Sequence, residues 1–267
     1  MPQTTPQTTP QIQKMRDQLA LITGATSGIG LAIAEGLAAR GYDLIISGRR
    51  ADRLREISTR LMSDCKVHVS TLAVDVNDQK KLEHALRDLN LENLGVLVNS
   101  AGLALGTDPM HKAKFSDWET MLDTNVKALL HVTHLCLPHL LKQKAAHIVN
   151  IGSVAGRWTY PGGGVYSATK FAVRAISDSL RLDLIGSPVR VTNIEPGMVE
   201  TEFSEVRFNG DQDKAKQVYK GMKPLTPQDI ADTVIWCLDR PQHVNIQELV
   251  IFPTDQAGVG PYVHRRR

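Results

Sequence analysis

At 267 residues, 42% of them hydrophobic and 22% charged, the chain has enough apolar material for one sizeable core within a single domain. A net charge of +3, from 31 basic and 28 acidic residues, argues against the basic face that nucleic acid requires, and the closing Arg265-Arg266-Arg267 is too short to supply one. Cys65, Cys136 and Cys237 are too scattered for a disulfide frame or zinc motif, and no apolar run reaches the length of a membrane span. A soluble protein of a reducing compartment is expected, with a disordered tail over residues 1–16, where Pro, Gln and Thr repeat without apolar content, and one domain over 17–267.

The first predicted element is a short apolar strand, Leu19 to Thr23, followed by Gly24-Ala-Thr-Ser-Gly28-Ile-Gly30 and a helix from Leu31 to Arg40 stopped by Gly41. Strand, glycine turn and helix in that order suit a pyrophosphate: glycine lets the backbone come close, and a helix start offers amide donors with a positive dipole end. A second strand, Asp43 to Ser47, ends in Gly48-Arg49-Arg50, where a dinucleotide site for NAD would place a carboxylate. Guanidinium groups match a phosphate instead, so Arg49 and Arg50 point to NADP.

A third strand is expected from Val67 to Val76, a helix from Asp78 to Leu89, and a fourth strand from Leu94 to Val98 running into Asn99-Ser-Ala-Gly102. This alternation predicts a parallel sheet covered by helices on both faces, with ligands beyond the carboxyl ends of its strands, where Gly24, Arg49, Asp75 and Asn99 all fall. One long helix is expected from Ser116 to Lys142, capped by Ser116 or Asp117, bent by Pro138 and holding Asn125 inside it. His131, His134 and His139 lie along it without the further ligands zinc needs, and read as helix-face or interface residues.

A fifth strand, His147 to Gly152, delivers Ser153. The surrounding Ile-Gly-Ser-Val-Ala-Gly lacks the glycine spacing of a hydrolase nucleophile elbow. After Gly162-Gly163-Gly164, a helix to about Leu184 carries Tyr166 and Lys170 on one face, a spacing at which an ammonium can lower the phenol pKa from about 10 and ready it for proton transfer. The same pair recurs as Tyr219 and Lys223, bracketed by Gly221 and Pro224 without a serine strand before it, and that copy reads as surface. A sixth strand, Val189 to Ile194, leads into Glu195-Pro-Gly-Met-Val-Glu-Thr201. The polar stretch at about 202–224 reads as a mobile helical lid, Thr226-Pro227 as a helix start, and Leu249 to Phe252 as the last strand.

These motifs resemble the short-chain dehydrogenase/reductases from about Asp17 to the C-terminus. Thr23-Gly-Ala-Thr-Ser-Gly-Ile-Gly30 is similar to the family's TGxxxGxG cofactor motif, and Asn125, Ser153, Tyr166 and Lys170 to its catalytic tetrad; the family's N-N-A-G stands here as Asn99-Ser-Ala-Gly102. The resemblance implies a single-domain α/β Rossmann fold with a doubly wound, parallel, seven-stranded sheet and helices on both faces. Within the family, Ala101-Gly-Leu-Ala-Leu-Gly106, Asp117-Trp-Glu-Thr-Met121, Asn193-Ile-Glu-Pro-Gly197, Glu202-Phe-Ser-Glu-Val-Arg-Phe208 and Pro241-Gln-His-Val-Asn-Ile246 are similar to NADP-dependent 3-hydroxy acid dehydrogenases, also called serine or L-allo-threonine dehydrogenases, which are typically cytoplasmic homotetramers.

The resemblance implies that Tyr166 is the general base in oxidation and acid in reduction, that Ser153 positions the carbonyl oxygen, that Lys170 lowers the tyrosine pKa and bonds the nicotinamide ribose, and that Asn125 holds a water joining Lys170 to solvent. NADP(H) would lie on Gly24, Thr26, Ser27, Gly28, Ile29 and Gly30, with its 2'-phosphate on Arg49 and Arg50 and its adenine beside Asp75 and Val76. Asn99, Ala101 and Gly102 would meet the ribose, and Pro196, Gly197, Val199 and Thr201 the carboxamide side. The carboxylate of a hydroxy acid needs a cation; Arg207 on the lid is the first candidate and Arg157 the second. Another carbonyl, an isoprenoid or sugar alcohol, and a non-catalytic NADP(H) sensor remain as alternatives.

Overall fold

The computed structural model describes residues 18–260 and 262–266, so the expected tail at 1–16 lies outside the described residues. Seven strands, β1 (Leu19–Ile22), β2 (Asp43–Gly48), β3 (Val69–Ala73), β4 (Leu94–Asn99), β5 (Ala146–Ile151), β6 (Val189–Pro196) and β7 (Glu248–Ile251), form one sheet in the order β3-β2-β1-β4-β5-β6-β7. Every pairing is parallel. Side chains alternate across the sheet: Ala20 and Ile22 of β1 enter one apolar cluster while Leu21 enters the other, and Leu44 and Ile46 of β2 separate from Ile45 in the same way. With both faces buried, these strands read as continuous apolar runs.

The first cluster is covered by α1 (Gly28–Ala39), α2 (Ala51–Cys65) and α9 (Pro227–Leu238); the second by α3 (Gln79–Arg87), α5 (Ala128–Leu140) and the end of α6 (Gly164–Asp183). Strand order reverses at β1, whose neighbours are β2 and β4, and a crevice opens beyond the carboxyl ends there. The doubly wound fold expected from the sequence is the fold observed.

Several boundaries differ: α1 begins at Gly28, inside the glycine turn, and β6 runs on to Pro196. The third strand stops at Ala73, because Asp75 turns the chain by accepting from the Asn77 amide at 3.0 Å, so Asp75 and Val76 lie in the following loop. The long helix is two helices, α4 (Phe115–Leu122) and α5, joined by a π turn over Asp123–Lys127, and Lys114 rather than Ser116 or Asp117 stands at its N-terminal boundary. The lid region contains two short helices, α7 (Phe203–Arg207) and α8 (Gln212–Tyr219). α9 begins as its sequence predicts, with Thr226 and Asp229 bonded reciprocally in a capping box and Pro227 at the first position.

Candidate active site

A cleft of about 650 Å³ runs along the carboxyl edge of the sheet. One end is the glycine turn. Gly24 has φ +68°, and a Cβ there would sit 2.9 Å from Ala101; a Cβ on Gly30 would meet the Gly24 carbonyl oxygen at 2.4 Å. Only hydrogen at these positions lets β1, β4 and α1 converge. Thr23 pins the convergence, its hydroxyl accepting from the amides of Ser100 at 3.1 Å and Ala101 at 3.0 Å. Ser27 precedes α1 without capping it through its side chain, and the first turn carries no acid, so the positive end of the helix faces the cleft. The concave glycine backbone and uncapped helix start fit a dinucleotide pyrophosphate.

At the lip above this turn, Arg49 and Arg50 are exposed and border the cleft. Arg50 donates to Thr26 Oγ1 and Ser27 Oγ, both at 2.9 Å, and pairs with Glu202 at 3.0 Å.

At the other end, Ser153 follows β5 and caps a short 3-10 turn over Val154–Gly156, its hydroxyl oxygen accepting from the Ala155 amide at 3.1 Å. Tyr166 and Lys170 lie on the buried face of α6. The Lys170 ammonium donates to the Ile151 carbonyl at 2.8 Å and sits 5.9 Å from the centre of the Tyr166 ring. Burial pushes the phenol up to about 12, with Tyr160 adding to the shift, while Ser153 and Arg207 pull it back down. Burial pushes Lys170 down to about 8. Ser153 and Arg207 are the groups that lower the phenol, and Lys170 is held at the end of β5 by the Ile151 carbonyl.

Asn125 does not line the cleft. Its side chain is spent on structure, accepting from the Leu103 amide at 2.9 Å and donating to the Leu103 carbonyl at 2.8 Å and to Thr169 at 3.0 Å. It fixes the π turn against the loop after β4 and against α6, a location typical of π bulges at functional sites. Asn99 is also off the cleft wall. Its amide donates to Thr133 at 3.0 Å and Asn150 at 2.9 Å, so the side chain is held inside the core.

The other expected residues border this one cleft: Gly24, Thr26 to Gly30, Asp75, Val76, Ala101, Gly102, Pro196, Gly197, Val199, Thr201 and Arg207. The Arg207 guanidinium stands 5.4 Å from the Tyr160 ring centre and 5.8 Å from that of Tyr166, with Nε donating to the Gly106 carbonyl at 3.2 Å. No ion pair occupies it among the described residues. Arg157 is excluded as the carboxylate partner because it is paired with Glu195 and Glu248 behind the serine turn.

The cleft is also lined by residues that no sequence motif marks, Tyr160 and Glu202 among them. Tyr219, set aside as surface, is half-buried: its hydroxyl donates to the Val199 carbonyl at 2.8 Å and bonds Ser204 at 2.7 Å, tying α8 to α7 and to the end of β6. Its partner in spacing, Lys223, is exposed. His131, read as a helix-face or interface residue, is turned against Glu83 of α3 at 3.3 Å within the chain.

The family model described as short chain dehydrogenase matches residues 18–212. The chain belongs to the short-chain dehydrogenase family. It is 46% identical over 251 residues to the NADP-dependent 3-hydroxy acid dehydrogenase YdfG of Escherichia coli strain K12, covering 93% of this chain and 100% of that protein. It is 45% identical over 247 residues to the serine 3-dehydrogenase of Agrobacterium fabrum, covering 92% of this chain and 97% of the relative. Among solved structures it matches the closed form of a serine dehydrogenase complexed with NADP+, at a TM-score of 0.86 and 45% identity over 93% of this chain and 100% of that one. These matches span 97–100% of the relatives' own length, and the solved one shares the fold.

Proposed function

We propose that the chain is an NADP-dependent dehydrogenase of small 3-hydroxy acids, such as serine, allo-threonine or 3-hydroxypropionate. The observation that carries this reading is the position of Arg207, a guanidinium without an acidic partner among the described residues, next to the phenol of Tyr166 at the end of a cleft that begins at a glycine turn. The 45–46% identity to proteins named for that activity supports it.

A bound nicotinamide cofactor supplies or accepts the hydride. The chain holds the rest of the chemistry. Tyr166 keeps its proton at neutral pH, so it is set to donate to a carbonyl oxygen in reduction; in oxidation it must first lose that proton, and its phenolate then accepts the one from the substrate hydroxyl. The oxygen of Ser153 is engaged by the Ala155 amide, which leaves its own proton to bond the reacting oxygen. Lys170 passes protons toward the ribose side, Asn125 supports it through Thr169, and Arg49 and Arg50 take the 2'-phosphate. Arg207 uses its remaining donors on the substrate carboxylate.

With NADP, 3-hydroxy acids are expected to turn over faster than isoprenoid or sugar alcohols when followed by nicotinamide absorbance; preference for the uncharged alcohols would overturn the substrate class. Arg207→Ala is expected to lower kcat/KM on the acids by about tenfold to a hundredfold, the scale of a hydrogen bond to a charged group, and to spare an uncharged alcohol. Equal losses on both would reduce Arg207 to a lid residue.

The exposed apolar side chains Leu130, Leu141 and Phe171 on or beside α5 and α6 support a homotetramer, which light scattering tests directly. A cytoplasmic location rests on the three free cysteines; among the described residues no helix is long and apolar enough to cross a membrane.

A further inference from the structure

Glu202 immediately precedes α7, and its carboxylate reaches across the cleft to two arginines of the opposite lip, Arg50 at 3.0 Å and Arg53 on α2 at 2.8 Å. The pairing holds its carboxyl below the usual range despite partial burial. Arg50 is at the same time bonded to the Thr26 and Ser27 hydroxyls of the glycine turn. One guanidinium thus serves the phosphate-binding turn and the lid together. A carboxylate and a phosphate dianion both draw on an arginine's N–H donors, and those of Arg50 are already divided between Glu202 and the Thr26 and Ser27 hydroxyls, so a phosphate seated there brings its charge beside the Glu202 carboxylate.

We propose that Glu202 is an internal rival of the cofactor 2'-phosphate for Arg50, with Arg53 as the arginine that retains Glu202 when the phosphate takes Arg50. This rests on the reading of Arg50 as a 2'-phosphate ligand. Glu202 then lowers affinity for the phosphorylated cofactor and eases its release. Because Glu202 leads directly into the helix that ends at Arg207, filling the phosphate corner also loosens one of the two ties between that helix and the cofactor lip. All three side chains are 38–45% exposed, so the effect is modest and weakens with salt.

The test is binding, measured by calorimetry with NADPH, NADH and 2'-AMP, the last carrying the 2'-phosphate without the pyrophosphate or nicotinamide. Glu202→Gln is expected to tighten 2'-AMP and NADPH by about threefold to fivefold at low ionic strength, with a smaller change for NADH and a smaller gain at high salt. Unchanged or weaker 2'-AMP binding would overturn the rivalry and make Glu202 a residue that orients Arg50. Arg50→Ala separates the underlying reading: it is expected to weaken 2'-AMP and NADPH selectively, and equal losses for NADPH and NADH would remove Arg50 from the 2'-phosphate and the rivalry with it. Arg53→Ala leaves Glu202 with Arg50 alone and is expected to weaken 2'-AMP; tighter binding in that variant would contradict the alternative-holder role.

Discussion

Tyr166 has a proton to move from an enclosed position, and its neighbours decide how readily. Burial works against the phenolate, whereas the Ser153 hydroxyl and the Arg207 guanidinium favour it. Removing the hydroxyl leaves the ring packed on Phe203, 5.6 Å away, and leaves the glycine turn untouched. Tyr166→Phe is therefore expected to lower kcat by at least about a hundredfold while NADP(H) binding stays within a factor of about two, as stopped-flow turnover and calorimetry would show. Tyr166 and Lys170 are legible from spacing because one helix, α6, carries both; at Tyr219 and Lys223 the same spacing runs off the end of α8, as Gly221 and Pro224 signal, and what the sequence hides is the partial burial of the Tyr219 ring.

At the scale of the element, the glycine turn works because backbone atoms of the turn after β1 and of α1 approach within a distance that excludes a methyl group. Gly30→Ala would place its Cβ 2.4 Å from the Gly24 oxygen, and neither atom belongs to a flexible side chain. The turn must open. NADP(H) affinity is expected to fall about tenfold or more in titration calorimetry, with a lowered melting temperature accompanying the strain. The segment between 115 and 140 is the opposite case: its apolar period predicts helix, and it is helical, but nothing local in the sequence marks the π turn that divides it. Its π turn answers to the Leu103 backbone and Thr169, partners 22 and 44 residues away from Asn125.

At the scale of the molecule, the turn bearing Ser153 is tied to the far half of the sheet through Arg157, which pairs with the fully buried Glu195 of β6 and with Glu248 of β7; Arg174 of α6 joins Glu248 at 2.8 Å. Glu195 is raised by burial and lowered by Arg157. Without the arginine its pKa moves further up, so its ionised form becomes a burden as pH rises. Arg157→Ala is expected to destabilise the fold by about 3 kcal/mol near neutral pH. The sign follows from linkage: a carboxylate whose folded pKa lies above its unfolded value loses stability with rising pH, so the deficit should shrink on moving from pH 8 toward pH 5 in urea titrations. A deficit independent of pH would mean that lost packing, not the unpaired Glu195, dominates.

The chain order of the seven strands, the glycine turn and the line of Ser153, Tyr166 and Lys170 are legible without coordinates. Each of these is written in a local period, in a residue type that a tight backbone requires, or in a spacing along one helix. The tertiary structure alone decided where long side chains go. Arg157 left the substrate for Glu195, Asn99 left the cleft for Thr133 and Asn150, and Glu202 crossed from the lid to Arg50. A charged or amide group takes the partner that folding brings within reach, and in a sheet with neighbours as distant in sequence as β1 and β4 that partner leaves no trace nearby in the chain.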